Sequence, residues 1–511
     1  MSLGLARAVA LQGLEGTVVD VECHRSPGLP SFGIGGLPDT ACAQAPDRVR
    51  SAAISSGVPL PAHRFVVNLS PAAIRKQGTG YDVGIAVAAL TASGVVPAGA
   101  ATDVVHVAEL GLDGRLRGVG GVLPAVAGAV RAGYRHVVVA QENAAEAALV
   151  DGAVVHPYAC LGDLVADYRD LADGGVLPCR SFPAGEPGEL RQHGDLADVV
   201  GQPEARAAVE LAAAGGHHLL LGGPPGSGKT MLAERMVTIL PPLTDEVALE
   251  VMSVRSLAGE LHDASGLDRV PPFVAPHHSA STPAMVGGGS SVIRPGAISL
   301  AHGGVLFLDE AAEFKATTLQ TLRQPLESGW VTVSRASGSV RYPARVQLVM
   351  ATNPCPCGRG FGAGADCTCT PTQRRAYAGR IGGPLLDRID LRIDVPPMTR
   401  AGLAGPAGES SAVVAERVRA ARAVQADRWS GCDWRLNAQA PGSVLRTSPW
   451  RPSRATTAGL DRALDRGEVT LRGYDRVLRV AWTVADSRGR TAPGPDEVTT
   501  AMFLRSTAVA A

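Results

Sequence analysis

Lysine is nearly missing from this chain: of its 48 Lys and Arg residues, only Lys76, Lys229 and Lys315 are lysines. Arginine serves wherever a generic positive charge suffices, so a lysine can mark a place where a compact point charge is wanted instead of a wide planar fork. Net charge is missing as well. The 48 basic residues are matched by 48 Asp and Glu, which excludes a global attractive field for nucleic acid and leaves only local patches. Membrane-length apolar runs are also wanting. The uncharged stretch 83–102 contains Gly84, Ser93, Gly94, Pro97 and Gly99, and reads as a buried helix followed by a turn. The N-terminus has neither a basic start nor a sustained apolar core, so no signal peptide and no membrane partner are expected, and the localisation expected is cytoplasmic. The nine cysteines do not argue for secretion, because four of them cluster within 355–369. With 45% hydrophobic and 19% charged residues over 511 positions, ample core exists for about two to four domains.

Short apolar runs broken by turns fill residues 1–171. Segments 18–21, 65–69 and 136–140 read as strands and 83–90 and 125–132 as helices, an α/β domain. Residues 172–194 are Gly- and Pro-rich without periodicity and read as a linker. A second α/β domain is expected over 195–400, and helical patterns such as 411–429 and 473–486 dominate 401–511.

The stretch Gly223-Pro224-Pro225-Gly226-Ser227-Gly228-Lys229-Thr230 fits G-x-x-x-x-G-K-[ST]. An apolar run (217–222) precedes it and a good helix former (231–236) follows, the strand–loop–helix context that separates a P-loop from a Gly/Pro-rich turn. Glycines let successive backbone N–H groups turn toward phosphate oxygens, and the new helix adds its positive end. Lys229 would reach the β- and γ-phosphates of ATP, and the Thr230 hydroxyl would ligate Mg²⁺.

Some eighty residues on, Val305-Leu306-Phe307-Leu308 is an apolar strand ending in Asp309 and Glu310. Asp309 would hold the Mg²⁺ shell and Glu310 would orient and deprotonate the attacking water. A further apolar strand, 346–352, ends at Asn353, which can donate and accept at once and so position a water; the plain alternative is a capping Asn. Arg388 follows in Leu385-Leu386-Asp387-Arg388-Ile389-Asp390. Taken alone it is half of a local ion pair with Asp387 or Asp390; supplied to a neighbouring subunit it would be an arginine finger.

Several strings resemble one family: GGPPGSGKT at 222–230, MVGGGSSVIRPGAISLAHGGVLFLDE at 285–310, TLRQPLESGWVTVSRA at 321–336, ATNPCPCG at 351–358, GPLLDRIDL at 383–391 and LRGYDRVLRVAWTVAD at 471–486. They resemble the magnesium-chelatase-like AAA+ ATPases of the ComM/YifB type, in order and over nearly the whole chain. The resemblance implies an ATP-driven hexameric motor acting on single-stranded or branched DNA, with a helicase or branch-migration role in recombination or transformation. It implies that Arg388 is the finger, that Arg472 in the helical lid is a second sensor touching nucleotide phosphate, and that Gly201 and Gln202 frame the adenine. It places an insert at 285–298 and a hairpin at 330–345 in a central pore. The N-terminal domain resembles the Lon peptidase domain, but the positions of its serine and lysine hold Asp82 and Leu123, so the fold is expected without peptidase chemistry. Rival readings are a remodeller of a protein partner, as chelatase ATPase subunits are, and an ATP-dependent protease, which the missing dyad opposes.

The hairpin also stands on its own residues, with alternation at 331–334, a turn-like 336–339 and a resumed strand at 340–342. Arg335, Arg341 and Arg345 would make a positive collar in a ring, or simply a solvated hairpin outside one. Cys355, Cys357, Cys367 and Cys369 form C-x-C-x9-C-x-C, which can close a structural Zn²⁺ site, remain as free thiols, or form a redox pair.

Overall fold

The computed structural model describes residues 2–171, 176–182, 194–261, 265–289, 293–335, 338–361, 366–403 and 407–506. The N-terminal part is a seven-stranded mixed sheet built from Ser2–Gln12 (β1), Glu15–Ser26 (β2), Ser31–Gly35 (β3), Arg64–Ser70 (β4), Val104–Val107 (β5), His136–Ala140 (β6) and Val154–Tyr158 (β7), in the order β3-β4-β2-β1-β5-β6-β7. Alternation sets the faces: in β4, Phe65, Val67 and Leu69 point into the core while their neighbours face out. Asp82–Ala92 (α1) is buried at every position, which is why its sequence has no polar stripe. Val122–Arg131 (α2) covers the same sheet. Most of the linker expected at 172–194 lies outside the described residues; its described part, 176–182, is docked, with Leu177 in the N-terminal core and Arg180 paired to Asp167 at 2.7 Å.

The two positions that the Lon resemblance sets against a serine and a lysine, Asp82 and Leu123, are both buried. Asp82 is fully buried, accepting from the Arg48 guanidinium (2.6 and 2.8 Å) and from the Leu110 N–H (3.2 Å). Leu123 is buried in the core beneath β1 and β6. Nearby, Lys76 is wholly buried with its ammonium donating to the Pro71 carbonyl, a site for a slim point charge.

The central part begins with Pro203–Gly215 (α3), then Leu219–Gly222 (β8), Lys229–Met236 (α4) and Asp245–Ala258 (α5). Strands Phe273–Val274 (β9) and Val305–Leu308 (β10) follow, then a hairpin of Trp330–Arg335 (β11) and Gly338–Pro343 (β12), and finally Gln347–Thr352 (β13) and Leu391–Asp394 (β14). The sheet is wholly parallel in the order β9-β10-β13-β8-β14. Its strands read as continuous apolar runs because both faces are covered. Leu219 and Leu221 share a core with the C-terminal helices, and Leu220 turns to the opposite core with Leu306, Leu348 and the hairpin. The C-terminal helices are Ser411–Arg428 (α6), Arg454–Asp465 (α7), Leu471–Ser487 (α8) and Pro495–Ser506 (α9). Four of the five tryptophans stack there, with ring centroids 5.0 Å (Trp429–Trp450), 5.9 Å (Trp450–Trp482) and 6.1 Å (Trp429–Trp434) apart.

The N-terminal and central parts meet where α2 packs on α5, with Met252 in the shared core. Glu146 accepts from the Leu123 N–H (2.9 Å) and the Ser256 hydroxyl across that contact.

His106 sits fully buried on β5, its Nδ1 donating to the Arg7 carbonyl at 3.0 Å and its Nε2 accepting from the Tyr168 hydroxyl at 2.7 Å. Burial holds the imidazole neutral, pushing its pKa down to about 4. An unfolded histidine takes its proton near pH 6.5, so the unfolded chain binds more protons between that value and about 4. The stabilisation is complete above pH 6.5 and is lost as pH falls toward 4, amounting to about 3 kcal/mol for this residue. Denaturant titrations at pH 7, 5.5 and 4.5 should record that decline, and His106→Gln, which cannot take the proton, should flatten it; an unchanged slope in the variant assigns the acid sensitivity to other groups.

Candidate functional site

The phosphate loop is positioned by β8, which ends at Gly222 with its register on Thr352 of β13 and Asp394 of β14. Gly223 passes so close to the Val395 carbonyl that a Cβ would stand 2.2 Å from the oxygen, so only glycine fits. Gly228 takes φ +90° immediately before α4 starts at Lys229, turning the loop's N–H groups toward the helix N-terminus. The Lys229 ammonium donates to the carbonyls of Gly223 (2.7 Å) and Pro224 (2.9 Å) and lies 3.4 Å from Asn353 Oδ1. The Ser227 hydroxyl is buried and has no partner among the described residues.

The strand order does the rest. Leu308 of β10 is level with Met350 of β13, and Gly222 of β8 with Thr352. The chain therefore releases Asp309, Glu310, Asn353 and the phosphate loop at the carboxyl ends of three adjacent inner strands, where ligands of open parallel sheets bind. Residues 225–230, Asp309, Glu310 and Asn353 together line a cavity of about 380 Å³. Thr230 Oγ1 donates to Asp309 Oδ2 at 2.8 Å, so the two oxygens expected to share a magnesium ion are already neighbours. Burial draws the Lys229 pKa down, and the carboxylates of Asp309 and Glu310 oppose that shift. Glu310 takes the left-handed conformation (φ +49°), unusual for a non-glycine residue and of a kind that collects at functional sites. His278 Nδ1 stands 3.3 Å from its carboxylate. Nothing in the spacing of the His277-His278 pair announces this neighbour, which arrives on the loop after β9. The orphaned Ser227 hydroxyl, the turned glycine loop and the Thr230–Asp309 pair fit a nucleoside triphosphate with Mg²⁺.

The other expected site residues lie outside this cavity. Gln202 precedes α3 with its amide donating to the Pro396 carbonyl at 2.7 Å, and Gly201 beside it has φ +68°. Arg388 is buried, and its partner is neither Asp387 nor Asp390 but Glu327, with a second bond to the Pro384 carbonyl at 2.6 Å. Arg472 is exposed near the start of α8. Asp390 itself is taken by Arg476 and the His218 N–H (3.2 Å), with His217 Nδ1 3.4 Å away.

Arg335, Arg341 and Arg345 are all exposed on the hairpin and its exit, Arg341 lying 4.3 Å over the Trp330 ring. The hairpin tip, 336–337, and residues 290–292 of the insert lie outside the described residues. The hairpin is not wholly free: Val331, Val333 and Tyr342 are buried, and Tyr342 donates to the Ile293 carbonyl of the insert at 2.6 Å. Its second strand also lies against the β1–β2 turn, where a Cβ on Gly13 would meet the Arg341 carbonyl at 2.7 Å.

Cys355, Cys357, Cys367 and Cys369 place their sulfurs within 4.8 Å of one another, three of the separations being 3.3, 3.6 and 3.7 Å. Tetrahedral zinc with bonds of 2.3 Å spaces its sulfurs about 3.8 Å apart, so the donor set fits. A Cβ on Gly360 would stand 3.0 Å from Cys355 Sγ, so the loop backbone closes over the thiols. Part of this loop, 362–365, is outside the described residues. Gly358 at its start rests on Pro225 of the phosphate loop, 2.8 Å from where its Cβ would be.

Comparison with known proteins agrees with this architecture. Three family profiles match in succession: subunit ChlI of Mg-chelatase at residues 21–143, magnesium chelatase subunit ChlI at 195–403, and its C-terminal part at 408–505. The chain is 46% identical over 509 residues to an uncharacterized protein of Mycobacterium tuberculosis, covering 99% of each. It is 41% identical to the competence protein ComM of Haemophilus influenzae over 495 residues (96% of this chain, 94% of that one) and 41% identical to YifB of Escherichia coli over 493 residues (95% and 94%). The chain belongs to the ComM/YifB-type, magnesium-chelatase-like AAA+ ATPase family.

Proposed function

We propose that this protein is an ATP-hydrolysing ring motor, a homo-hexamer, that moves on single-stranded or branched DNA in helicase or branch-migration steps of recombination or transformation. The observation that carries the ATPase part is the convergence of Lys229, Thr230, Asp309, Glu310 and Asn353 on one cavity at the carboxyl ends of the inner strands. The loop N–H groups and Lys229 bind the β- and γ-phosphates, and Thr230 and Asp309 hold magnesium, which supplies charge neutralisation on the phosphate oxygens. Glu310 takes the proton of the attacking water and Asn353 orients that water. Arg388 and Arg472 stand outside their own cavity, which favours their delivery to a neighbour's nucleotide. The reading as a DNA motor rests on the exposed arginines of the hairpin and on the kinship with a competence protein. Remodelling of a protein partner is the second reading, favoured by the contact of the hairpin's second strand with the Gly13 turn.

ATPase rates with and without single-stranded, duplex and branched DNA discriminate the two readings: stimulation by DNA supports the motor, and indifference to all three favours a protein partner. Glu310→Gln should bind ATP normally yet lose roughly 10²- to 10⁴-fold in turnover, the contribution of a positioned general base. Lys229→Ala should weaken binding itself. Equilibrium binding of a labelled nucleotide beside steady-state hydrolysis checks both, and brisk hydrolysis by Glu310→Gln would remove that residue from the base role.

The cysteine cluster is proposed to hold one structural zinc per chain. Elemental analysis of freshly prepared, reduced protein should find it, and replacing Cys367 and Cys369 by Ser should release it and loosen the loop resting on Pro225. Zinc-free wild-type protein points to free thiols.

Replacing Arg335, Arg341 and Arg345 by Ala should leave ATP turnover without DNA near the parent's. Stimulation by DNA should vanish, and the dependence of DNA affinity on salt should flatten because fewer counterions are released. A triple variant that binds and moves DNA like the parent would place the contact elsewhere.

A further inference from the structure

Away from the nucleotide cavity lies a group of three arginines in which only the middle charge, Arg388, has a carboxylate partner. Arg323 and Arg472 are both exposed, and the side chain of neither makes a hydrogen bond or an ion pair among the described residues. Within electrostatic reach of both is Arg388, held by Glu327 and the Pro384 carbonyl, its Nε buried and without a partner among the described residues. Local geometry brings the three together. The turn at 322–324 leads into a short helix, Pro325–Ser328, with the Leu326 N–H on the Leu322 carbonyl (3.1 Å) and the Ser328 N–H on that of Gln324 (2.9 Å). Arg323 and Glu327 therefore share one face, a turn apart, and Glu327 grips Arg388. On α8, Arg472 stands one turn before Arg476, whose guanidinium is bound by Asp390, two residues beyond Arg388. Burial lowers the Arg388 pKa despite Glu327, and the charges of Arg323 and then Arg472 lower it further, which places both within electrostatic reach.

Three like charges with one carboxylate, Glu327, among them are unfavourable unless a further anion completes them. The nucleotide cavity has the opposite deficiency. Its lining residues offer one cation, Lys229, against the two carboxylates of Asp309 and Glu310, before a polyanionic triphosphate enters. Each surface lacks what the other has, and the phosphate loop and the arginine group occupy different places on one chain, as a head-to-tail closed ring requires. We propose that Arg323 joins Arg388 and Arg472 as a third cation delivered to the triphosphate held by the phosphate loop of an adjacent copy. This rests on the ring reading above, with Glu327 and Asp390 as the two anchors that aim the group.

The test uses full-length protein without DNA. Arg323→Ala should lose about 10- to 100-fold in kcat, the worth of a charge-assisted hydrogen bond, with a smaller change in KM. An equal mixture with Lys229→Ala should restore turnover, because that subunit brings an intact arginine group to the variant's intact phosphate loop. A mixture with Arg388→Ala should not, since both partners are then damaged on the same face. A defect of folding would not discriminate between the two mixtures. If Arg323→Ala does not assemble, Arg323→Gln, which keeps a polar side chain of similar reach and removes the charge, must show the same loss and the same rescue. Normal kcat in Arg323→Ala, or loss that no mixture restores, overturns the proposal. Normal DNA-free kcat with weakened DNA binding assigns Arg323 to a nucleic-acid surface and overturns it as well. The ring reading fails separately, if Arg388→Ala loses activity and the mixture with Lys229→Ala does not recover it.

Discussion

One buried carboxylate, Asp390, ties together the parts on which the site depends. It accepts from the N–H of His218 at the foot of the phosphate-loop strand, lies 3.4 Å from His217 Nδ1, and is bound by Arg476 from helix α8. Burial pushes its carboxyl up, yet Arg476 and the two histidines outweigh that and hold it well below the usual carboxylate range. An interior charge of this kind is costly to strip of its partners, about 3–5 kcal/mol, so the strand, the Arg388 segment and the lid helix are fixed as one unit.

The site edge is as interlocked as its foot. Gly223 is pressed on Val395, Gly358 of the cysteine loop rests on Pro225, and Lys229 is shared between loop carbonyls and the Asn353 side chain. Whatever orders the cysteine loop therefore bears directly on the phosphate loop. The hairpin connects in another direction, to the insert through Tyr342 and to the N-terminal sheet through the Gly13 turn. The N-terminal domain thus has a mechanical place against both α5 and the hairpin.

Where a motif is contiguous in the chain, its place in the fold is legible in the sequence. The phosphate loop, Asp309–Glu310 and Asn353 each end a short apolar strand, and those strands form within two residues of where periodicity puts them. Helices α6 and α8 are likewise legible, spanning Ser411–Arg428 and Leu471–Ser487 where patterns at 411–429 and 473–486 predict them. What escaped is long-range. The partner of Arg388 is Glu327, 61 residues away, whereas spacing alone favours Asp387 or Asp390. The approach of His278 to Glu310 and the covering of the hairpin by the N-terminal turn depend on how loops from separate strands meet, for which local pattern carries no signal. Strand β1 carries three alanines and Arg7 at its centre and shows its identity only by its eleven-residue pairing with β2.

If catalysis needs cations from a second copy, activity per chain must depend on assembly. The direct measurement is specific ATPase activity across protein concentration, beside the oligomeric state by sedimentation at each point. The account predicts that turnover per chain falls steeply as the assembly dissociates and is recovered on concentration. Full turnover per chain in samples that sediment as monomers would contradict it.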